Sequence, residues 1–476
     1  MLTIVKETNN TKESALRIVP EADDNGKINF SIVGNNVFFI SLGCPRNLVD
    51  TEVMIGILLK AGYQVCQEMQ RADFIIINTC GFLEASRQES LDTIQGALKN
   101  RKASAKVIAT GCMVQTHSDA IRAACPEIHY LLGSGDVQGI LRAVETESSG
   151  SNITSAKSFL EMGEVPRVVS TPKHYAYLKI AEGCRKRCAF CIIPTIKGPL
   201  KSKPIEQILK EIKILLDNGA KEIILIAQDL GDYGRDRGMK KVDGLVELLK
   251  TILDTEKRHF WLRLLYVYPD EITDELIAVM QSDPRICHYI DMPIQHVNNE
   301  LLSAMRRLTS KEDIIATITK LRGAIPDIVI RTSLIVGFPG ETEAHFSELH
   351  EFIKQYPLEN IGIFKYSNEP GAHSSTLPNQ VPEEVKEKRL AKLAKLQRHI
   401  VNTLNKKMVG KTVPAIIEGF RPESKALLRG RYAGQCPDID GEIIINEGDF
   451  SKIQFGEYAE VTITGNAGYD LLGRLE

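Results

Sequence analysis

Apolar positions along the first third of the chain come in short unbroken runs, each followed by a longer stretch in which they recur at helical spacing. The run at 37–42 precedes an amphipathic stretch over 47–60, the run at 74–77 precedes one over 84–99, and the run at 107–109 precedes one over 119–125. Strands that are apolar on both sides belong to sheets covered on both faces. Residues 37–145 are therefore expected to form a parallel α/β sheet domain, with residues 1–36 as an N-terminal extension. A polar stretch opens a linker over 146–173, and the alternation resumes over 174–370. Strand candidates there are 175–181, 222–227, 261–267, 289–293, 329–336 and 361–366, with helical periodicity between them, as at 205–216 and 314–321. Six such units predict a partial or complete βα barrel of TIM-like kind, and an open doubly wound sheet would show the same periodicity. Residues 371–411 comprise a linker and a strongly helical segment. Beyond it, short runs at 414–418, 426–430, 442–445 and 460–464, punctuated by Gly, Pro and Asp, predict a small β-barrel of about five strands over 412–476.

Length and composition bound this picture. The 476 residues are enough for about three domains. A hydrophobic share of 43% and a charged share of 25% exclude a disordered or fibrous chain. No apolar run approaches the roughly 18–20 residues of a membrane span. The first 36 residues scatter Glu7, Lys12, Glu13, Asp23 and Asp24 among apolar positions with no hydrophobic signal core, so a cytoplasmic location without membrane contact is expected. The net charge of -2 excludes a generally basic nucleic-acid coat, yet the charge is uneven. Residues 383–411 hold nine Lys/Arg against three Glu, a net of +6, and residues 412–476 hold six Lys/Arg against eleven Asp/Glu, a net of -5.

Ten cysteines remain to be explained, and a reducing compartment argues against structural disulfides. Cys184-x3-Cys188-x2-Cys191 follows directly on the first strand candidate of the middle block. Three thiolates on one short loop suit a 4Fe-4S cluster with one iron left open. The alternative is a zinc knuckle, for which the nearest fourth ligands, His174 and Cys287, are badly spaced. Cys44, Cys80 and Cys112 are far apart in sequence, but each follows a strand candidate, and three successive parallel strands bring such residues to one rim. Gly43, Gly81 and Gly111 beside them allow close backbone approach. A second three-cysteine cluster is expected there, against the alternative of three unrelated core thiols. Cys66, Cys125, Cys287 and Cys436 show no partner pattern and read as structural or incidental.

The CxxxCxxC loop with Phe190 before its last Cys resembles the radical S-adenosylmethionine superfamily, and the two triads together, joined to a small β-barrel, resemble the methylthiotransferases over residues 37–475. That resemblance implies a methylthiotransferase domain, a radical S-adenosylmethionine barrel and a C-terminal barrel of the TRAM type. It also implies two 4Fe-4S clusters, Cys184, Cys188 and Cys191 holding the radical one and Cys44, Cys80 and Cys112 the auxiliary one. S-adenosylmethionine then serves both as methyl donor and as radical source. Further cofactor contacts are sought at strand ends. Gln228 and Asp229 can accept from the methionine ammonium or merely cap a helix. Arg263, inside an apolar strand, needs an anion, either the cofactor carboxylate or a buried carboxylate of the chain. Arg331 and Ser333, followed by Gly337-Phe-Pro-Gly-Glu341, resemble the adenosine-side motif of the superfamily, and the same glycines would also serve a tight turn. Gln295 and, more weakly, His296 end another strand. No catalytic acid or base is assigned.

Two branches of the family differ in substrate. Gly43-Cys-Pro-Arg-Asn-Leu-Val-Asp-Thr-Glu52, Asn78-Thr-Cys-Gly-Phe82 with Glu89-Ser90, Tyr266-Val-Tyr-Pro269 and Met292-Pro-Ile-Gln-His296 resemble the branch that methylthiolates the β-carbon of an aspartate in small-subunit ribosomal protein twelve. The other branch acts on adenosine 37 of transfer RNA. Phosphate contacts dominate RNA affinity, so an acidic C-terminal barrel suits a basic ribosomal protein better, while the +6 helix keeps RNA contact open. A non-catalytic iron–sulfur protein binding RNA or the small ribosomal subunit is the reading from another class.

Overall fold

The structure, a computed structural model, describes residues 2–3, 17–19, 35–154, 158–161 and 163–476. In the first sheet β1 (Asn36–Ser41), β2 (Phe74–Thr79), β3 (Lys106–Gly111), β4 (Tyr130–Gly133) and β5 (Gly150–Asn152) lie side by side in chain order, all parallel. Gln64–Val65 pairs parallel and Leu2–Thr3 antiparallel with β1. Three helices return the chain: α1 (Pro45–Lys60), α2 (Glu84–Asn100) and α3 (Cys112–Ala124). Strands β1 to β3 are almost wholly buried, as their unbroken apolar runs require. Two differences from the sequence reading have separate causes. Strands β4 and β5 are too short to show a period, and β5, which is polar, adds to the sheet inside the expected linker. Helix α3 starts at Cys112 rather than near 119 because a kink at His117 interrupts its pattern.

The second sheet has six strands: β6 (Tyr175–Lys179), β7 (Glu222–Ile226), β8 (Trp261–Leu264), β9 (Ile286–Asp291), β10 (Val329–Val336) and β11 (Asn360–Lys365). All neighbours are parallel and follow chain order. A doubly wound sheet would reverse its order at a switch point, so the architecture is a βα barrel. It is partial, since β6 and β11 do not pair among the described residues. Leu178, Ile223, Leu262 and Ile330 pack outward on the helices, in one cluster with Leu249, Leu276, Ile318 and Leu349. Tyr177, Ile224, Trp261 and Tyr289 belong to a second cluster that runs from Val49 and Val53 of α1 to Cys436 near the C-terminus.

A basic helix, α4 (Glu383–Lys406), leads to β12 (Thr412–Arg421), β13 (Ser424–Tyr432), β14 (Ile443–Glu447), β15 (Tyr458–Ala467) and β16 (Asp470–Leu475). These close into a barrel in the order β12-β13-β14-β16-β15, with Ile417, Leu428, Ile445, Val461 and Ile463 inside. The chain after β13 enters the N-terminal end of the central barrel and forms its floor. There Tyr175 donates to Asp438 at 2.8 Å, Tyr289 donates to Asp440 at 2.7 Å, and Arg431 meets Glu222 at 2.8 Å. Arg263, fully buried, also ends on this floor. It pairs with Glu222 at 2.6 Å and donates to Ala433 O at 2.9 Å, so its anion is a carboxylate of the chain and not, as one expectation had it, the cofactor's. Arg331 is corrected likewise, with Asp291 at 3.2 Å and Asp440 at 3.6 Å as partners.

The floor also reduces the charge contrast read from the sequence. Glu418 is held by Arg431 and His174, and Asp440 by Tyr289 and Arg331, so part of the -5 is internal. On α4, Lys386 and Arg389 face inward, to Tyr366 O and Glu341, while Lys388, Lys392, Lys395 and Arg398 are exposed. Among the described residues no helix is long and apolar enough to cross a membrane.

Candidate active site

The carboxyl ends of both parallel sheets carry the cysteines. Cys44 is the N-cap of α1, Cys112 opens α3, and Cys80 lies between β2 and α2. Helix N-termini favour anionic ligands, which suits thiolates. Gly43 has φ +87°, and a Cβ there would stand 2.9 Å from Cys80 Cβ and 3.0 Å from its Sγ, so only glycine lets these two strand ends approach. Asn47 ties the three ends together. Its Nδ2 donates to Leu42 O (3.1 Å) and Thr79 O (3.0 Å), and its Oδ1 accepts from Cys112 Sγ at 3.4 Å. Asn78 donates to Asn47 O at 2.8 Å, and Ser90 exchanges hydrogen bonds with the Cys80 backbone at 3.0 and 3.1 Å.

The other triad sits on the loop after β6. Cys188 Sγ meets Tyr268 Oη at 3.5 Å and the Arg307 guanidinium at 3.6 Å; Arg307 lies 4.0 Å over the Tyr268 ring and donates to Pro293 O at 2.6 Å. The Ile193 N–H donates to Cys191 Sγ at 3.4 Å. Burial pushes Cys112, Cys184 and Cys191 up to about 12. Cys44 differs: burial raises it, but the Arg46 guanidinium and the Asn47 N–H outweigh burial and hold it below its ordinary value. Thiols forced neutral by burial become thiolates when a metal takes the proton's place.

Spacing decides which metal suits. Among the described residues, the only set of three or more His, Cys, Asp or Glu with ligand atoms within 4.8 Å of one another is Asp229, Asp232 and Glu271. Neither triad gathers its sulfurs that closely, so neither offers the compact tetrahedron of a zinc ion, and each suits a cluster with one thiolate per iron. His174 and Cys287, the nearest alternatives for a fourth zinc ligand, lie at the floor.

Arg46 lies between the triads. Beginning two residues after Cys44, its side chain reaches Ala227 O at the end of β7 (2.8 Å) and stacks 5.1 Å from the centroid of Tyr266, beyond β8. Its charge also acts on Cys191. Nothing in the cysteine spacing pointed to it; the only signal was a lone cation inside Cys-Pro-Arg-Asn. Asp50 and Glu52, from the same segment, were likewise quoted without a role. Asp50 joins Lys179 and Lys197, and Glu52 joins Arg167 at 2.6 Å, which fastens α1 to the central barrel.

The other expected contacts divide. Gln228 Oε1 is buried without a partner, a donor-seeking atom at the rim. Asp229 is held well above the usual carboxylate range by burial and the neighbouring Glu271; its Oδ1 accepts from Gly231 N, and Lys186 approaches to 3.4 Å. Gln295, at φ +68°, is stitched by its backbone to Ser333 and Ile335 of β10, and both Gln295 and Ser333 are half-buried at the rim. Gly337 is corrected. At φ +78°, a Cβ would run into the Lys386 stem, so its bare face admits α4, and Glu341 accepts from the Gly337 and Phe338 N–H groups. His296 is buried and pushed down to about 3 by burial, with Nδ1 accepting from Asn298 N.

Comparison with known proteins agrees with this layout. Family models described as uncharacterized protein family UPF0004, radical SAM superfamily and TRAM domain match residues 36–133, 178–353 and 409–475. The chain is 63% identical to the ribosomal protein uS12 methylthiotransferase RimO of Protochlamydia amoebophila (strain UWE25), covering 94% of each chain. It is 42% identical to the protein of that name from Bdellovibrio bacteriovorus, over 92% of this chain and 97% of the relative. Among solved structures, the radical S-adenosylmethionine methyltransferase TsrM of Kitasatospora setae, with tryptophan and an S-adenosylmethionine analogue bound, gives a TM-score of 0.51 at 14% identity. That match covers 69% of this chain and 73% of the other, a likeness of fold.

Proposed function

This chain belongs to the ribosomal protein uS12 methylthiotransferases, and on that premise we infer that it adds a methylthio group to the β-carbon of an aspartate in that small-subunit protein. It is an enzyme of the radical S-adenosylmethionine class that uses S-adenosylmethionine and two 4Fe-4S clusters. The observation that carries the reading is the meeting of two three-thiol rims, one from each parallel sheet, with Arg46 reaching across.

We assign Cys184, Cys188 and Cys191 to the radical cluster and Cys44, Cys80 and Cys112 to the auxiliary one. When bound, these groups supply the radical and sulfur chemistry. The chain positions and shields them. Tyr268 and Arg307 orient Cys188 from one side. Ala189, Phe338 and Tyr366 form an apolar wall beside it that keeps water from a radical step. Gln228, Asp229, Gln295 and Ser333 are the rim groups assigned to S-adenosylmethionine. The exposed cations of α4, next to the TRAM barrel, are assigned to RNA around the ribosomal substrate, and a ribosomal substrate supports a cytoplasmic location.

Anaerobically loaded enzyme, given reductant and S-adenosylmethionine, is expected to raise the mass of uS12 by one methylthio group in place of hydrogen and to leave transfer RNA unchanged. Transfer to the RNA alone would move the substrate to the other branch.

A further inference from the structure

Several cations in and around the central barrel are answered by acids of the chain. Lys197 meets Asp50 at 3.1 Å and Glu182 at 2.9 Å, Lys186 is paired with Glu271 and Asp229, and Arg331 with Asp291 and Asp440. Arg307 is placed on Tyr268 and Pro293 O. Arg46, like Arg307, forms no ion pair with a carboxylate among the described residues, but Arg46 also reaches from one sheet to the rim of the other. A half-buried arginine held between two sheets is suited to an anion. The Ala227 carbonyl takes one N–H group, Cys44 engages the same guanidinium and the Tyr266 ring fixes its plane, and the N–H groups beyond these suit a carboxylate.

We propose that Arg46 binds the side-chain carboxylate of the substrate aspartate and is the residue that selects aspartate over its amide. The inference rests on the aspartate reading of the substrate given above. In aspartate the reacting β-carbon is bonded directly to the carboxylate carbon. A two-point clamp on the oxygens therefore holds that carbon one bond away, between the radical triad and the auxiliary triad. The competing role for Arg46 is to serve Cys44 alone.

The test uses holoenzyme and two substrates, uS12 and uS12 with asparagine at the modified position. Affinity is read by fluorescence anisotropy, transfer by mass spectrometry, and iron per chain is measured for each enzyme. The native enzyme is expected to prefer aspartate in Kd by roughly 10- to 100-fold, the strength of hydrogen bonds to a charged group. Arg46→Gln brings the two substrates to near parity, and Arg46→Lys restores part of the preference. A preference that survives in Arg46→Gln overturns the proposal. So does loss of half the iron in that variant, which would make Arg46 a support for Cys44. Native enzyme that transfers nothing to aspartate overturns instead the substrate reading on which the proposal stands.

Discussion

At the floor of the central barrel the buried charges meet opposite charges from distant parts of the chain, whereas the rim gathers six thiols and a buried amide oxygen that has no hydrogen-bond partner among the described residues. Glu222 lies between Arg263 and Arg431, and Glu418 between Arg431 and His174. At the rim, three of the six thiols are pushed up to about 12 by burial, Asp229 is forced toward its neutral form, and Gln228 Oε1 has no partner. The same barrel is thus held by ion pairs at one end and lined with ligand-type groups at the other. Barrel enzymes in general place chemistry at the carboxyl ends of the strands and stability at the opposite face, and here the C-terminal domain itself supplies the stabilising floor.

The largest effects should fall on the rim. Cys188→Ala and Cys112→Ala are each expected to abolish methylthio transfer and to lower iron from about eight to about four per chain, because each removes one ligand from one of two clusters. Thermal midpoints should move little by comparison. A variant that keeps transfer after losing either thiol would break the assignment of its triad.

At the floor the expected effect is on stability. Glu222→Gln leaves Arg263 and Arg431 buried with their shared anion gone, which should destabilise the fold by about 3–5 kcal/mol, while the protein that remains folded still transfers. Chemical denaturation followed with an activity assay separates the two quantities. Equal loss of specific activity would show that the two ends are not independent.

Acid should act on the two ends with opposite signs. Burial raises Glu418, but Arg431 and His174 outweigh it and hold the carboxyl down to about 2. Its folded value lies below its unfolded one, so its stabilisation is complete above about pH 4.5 and is lost as the pH falls through about 2. Glu418→Gln should therefore cost about 2–3 kcal/mol at neutral pH and flatten the acid limb of the stability profile. Asp229 is raised, so its ionisation opposes folding once the pH exceeds its unfolded value, and Asp229→Asn should raise the neutral-pH melting temperature slightly. Melting curves across pH check both signs.

The rim was legible in the sequence and the floor was not, for a physical reason. Cys184, Cys188 and Cys191 lie within eight residues of one loop, and Cys44, Cys80 and Cys112 each follow an apolar run, so local pattern alone brings them forward. The floor is made of pairs such as Glu222 with Arg431, 209 residues apart, which no periodicity connects. Arg263 shows the consequence: its sequence demanded an anion, but two answers existed, and only the fold of the C-terminal loop selects Glu222. Gly337 failed similarly, because α4, which needs its bare face, is remote in sequence. The six strands of the central barrel were legible because each lies in an apolar run set between helical stretches; β5, Gly-Ser-Asn, has no apolar side chain and was not.

The smallest effect is the most specific one for the rim. Gln228 lies just past β7, next to Ala227, whose carbonyl holds Arg46, and its Oε1 is buried with no donor among the described residues. A buried acceptor left alone is unfavourable, so the position favours a ligand that brings a donor, and the ammonium of S-adenosylmethionine is such a donor. If that is its role, Gln228→Leu, close in volume but unable to accept, should weaken S-adenosylmethionine binding by about tenfold and leave the folded chain as stable as before or slightly more so. Gln228→Glu, which keeps an acceptor and adds charge, should bind at least as well as the native enzyme. Calorimetric titration of the cluster-loaded variants measures this directly. Unchanged affinity in Gln228→Leu with a higher melting temperature would mark Gln228 as a strained strand end, and would shift the search for the ammonium partner to Asp229 and Glu271 across the Lys186 pair.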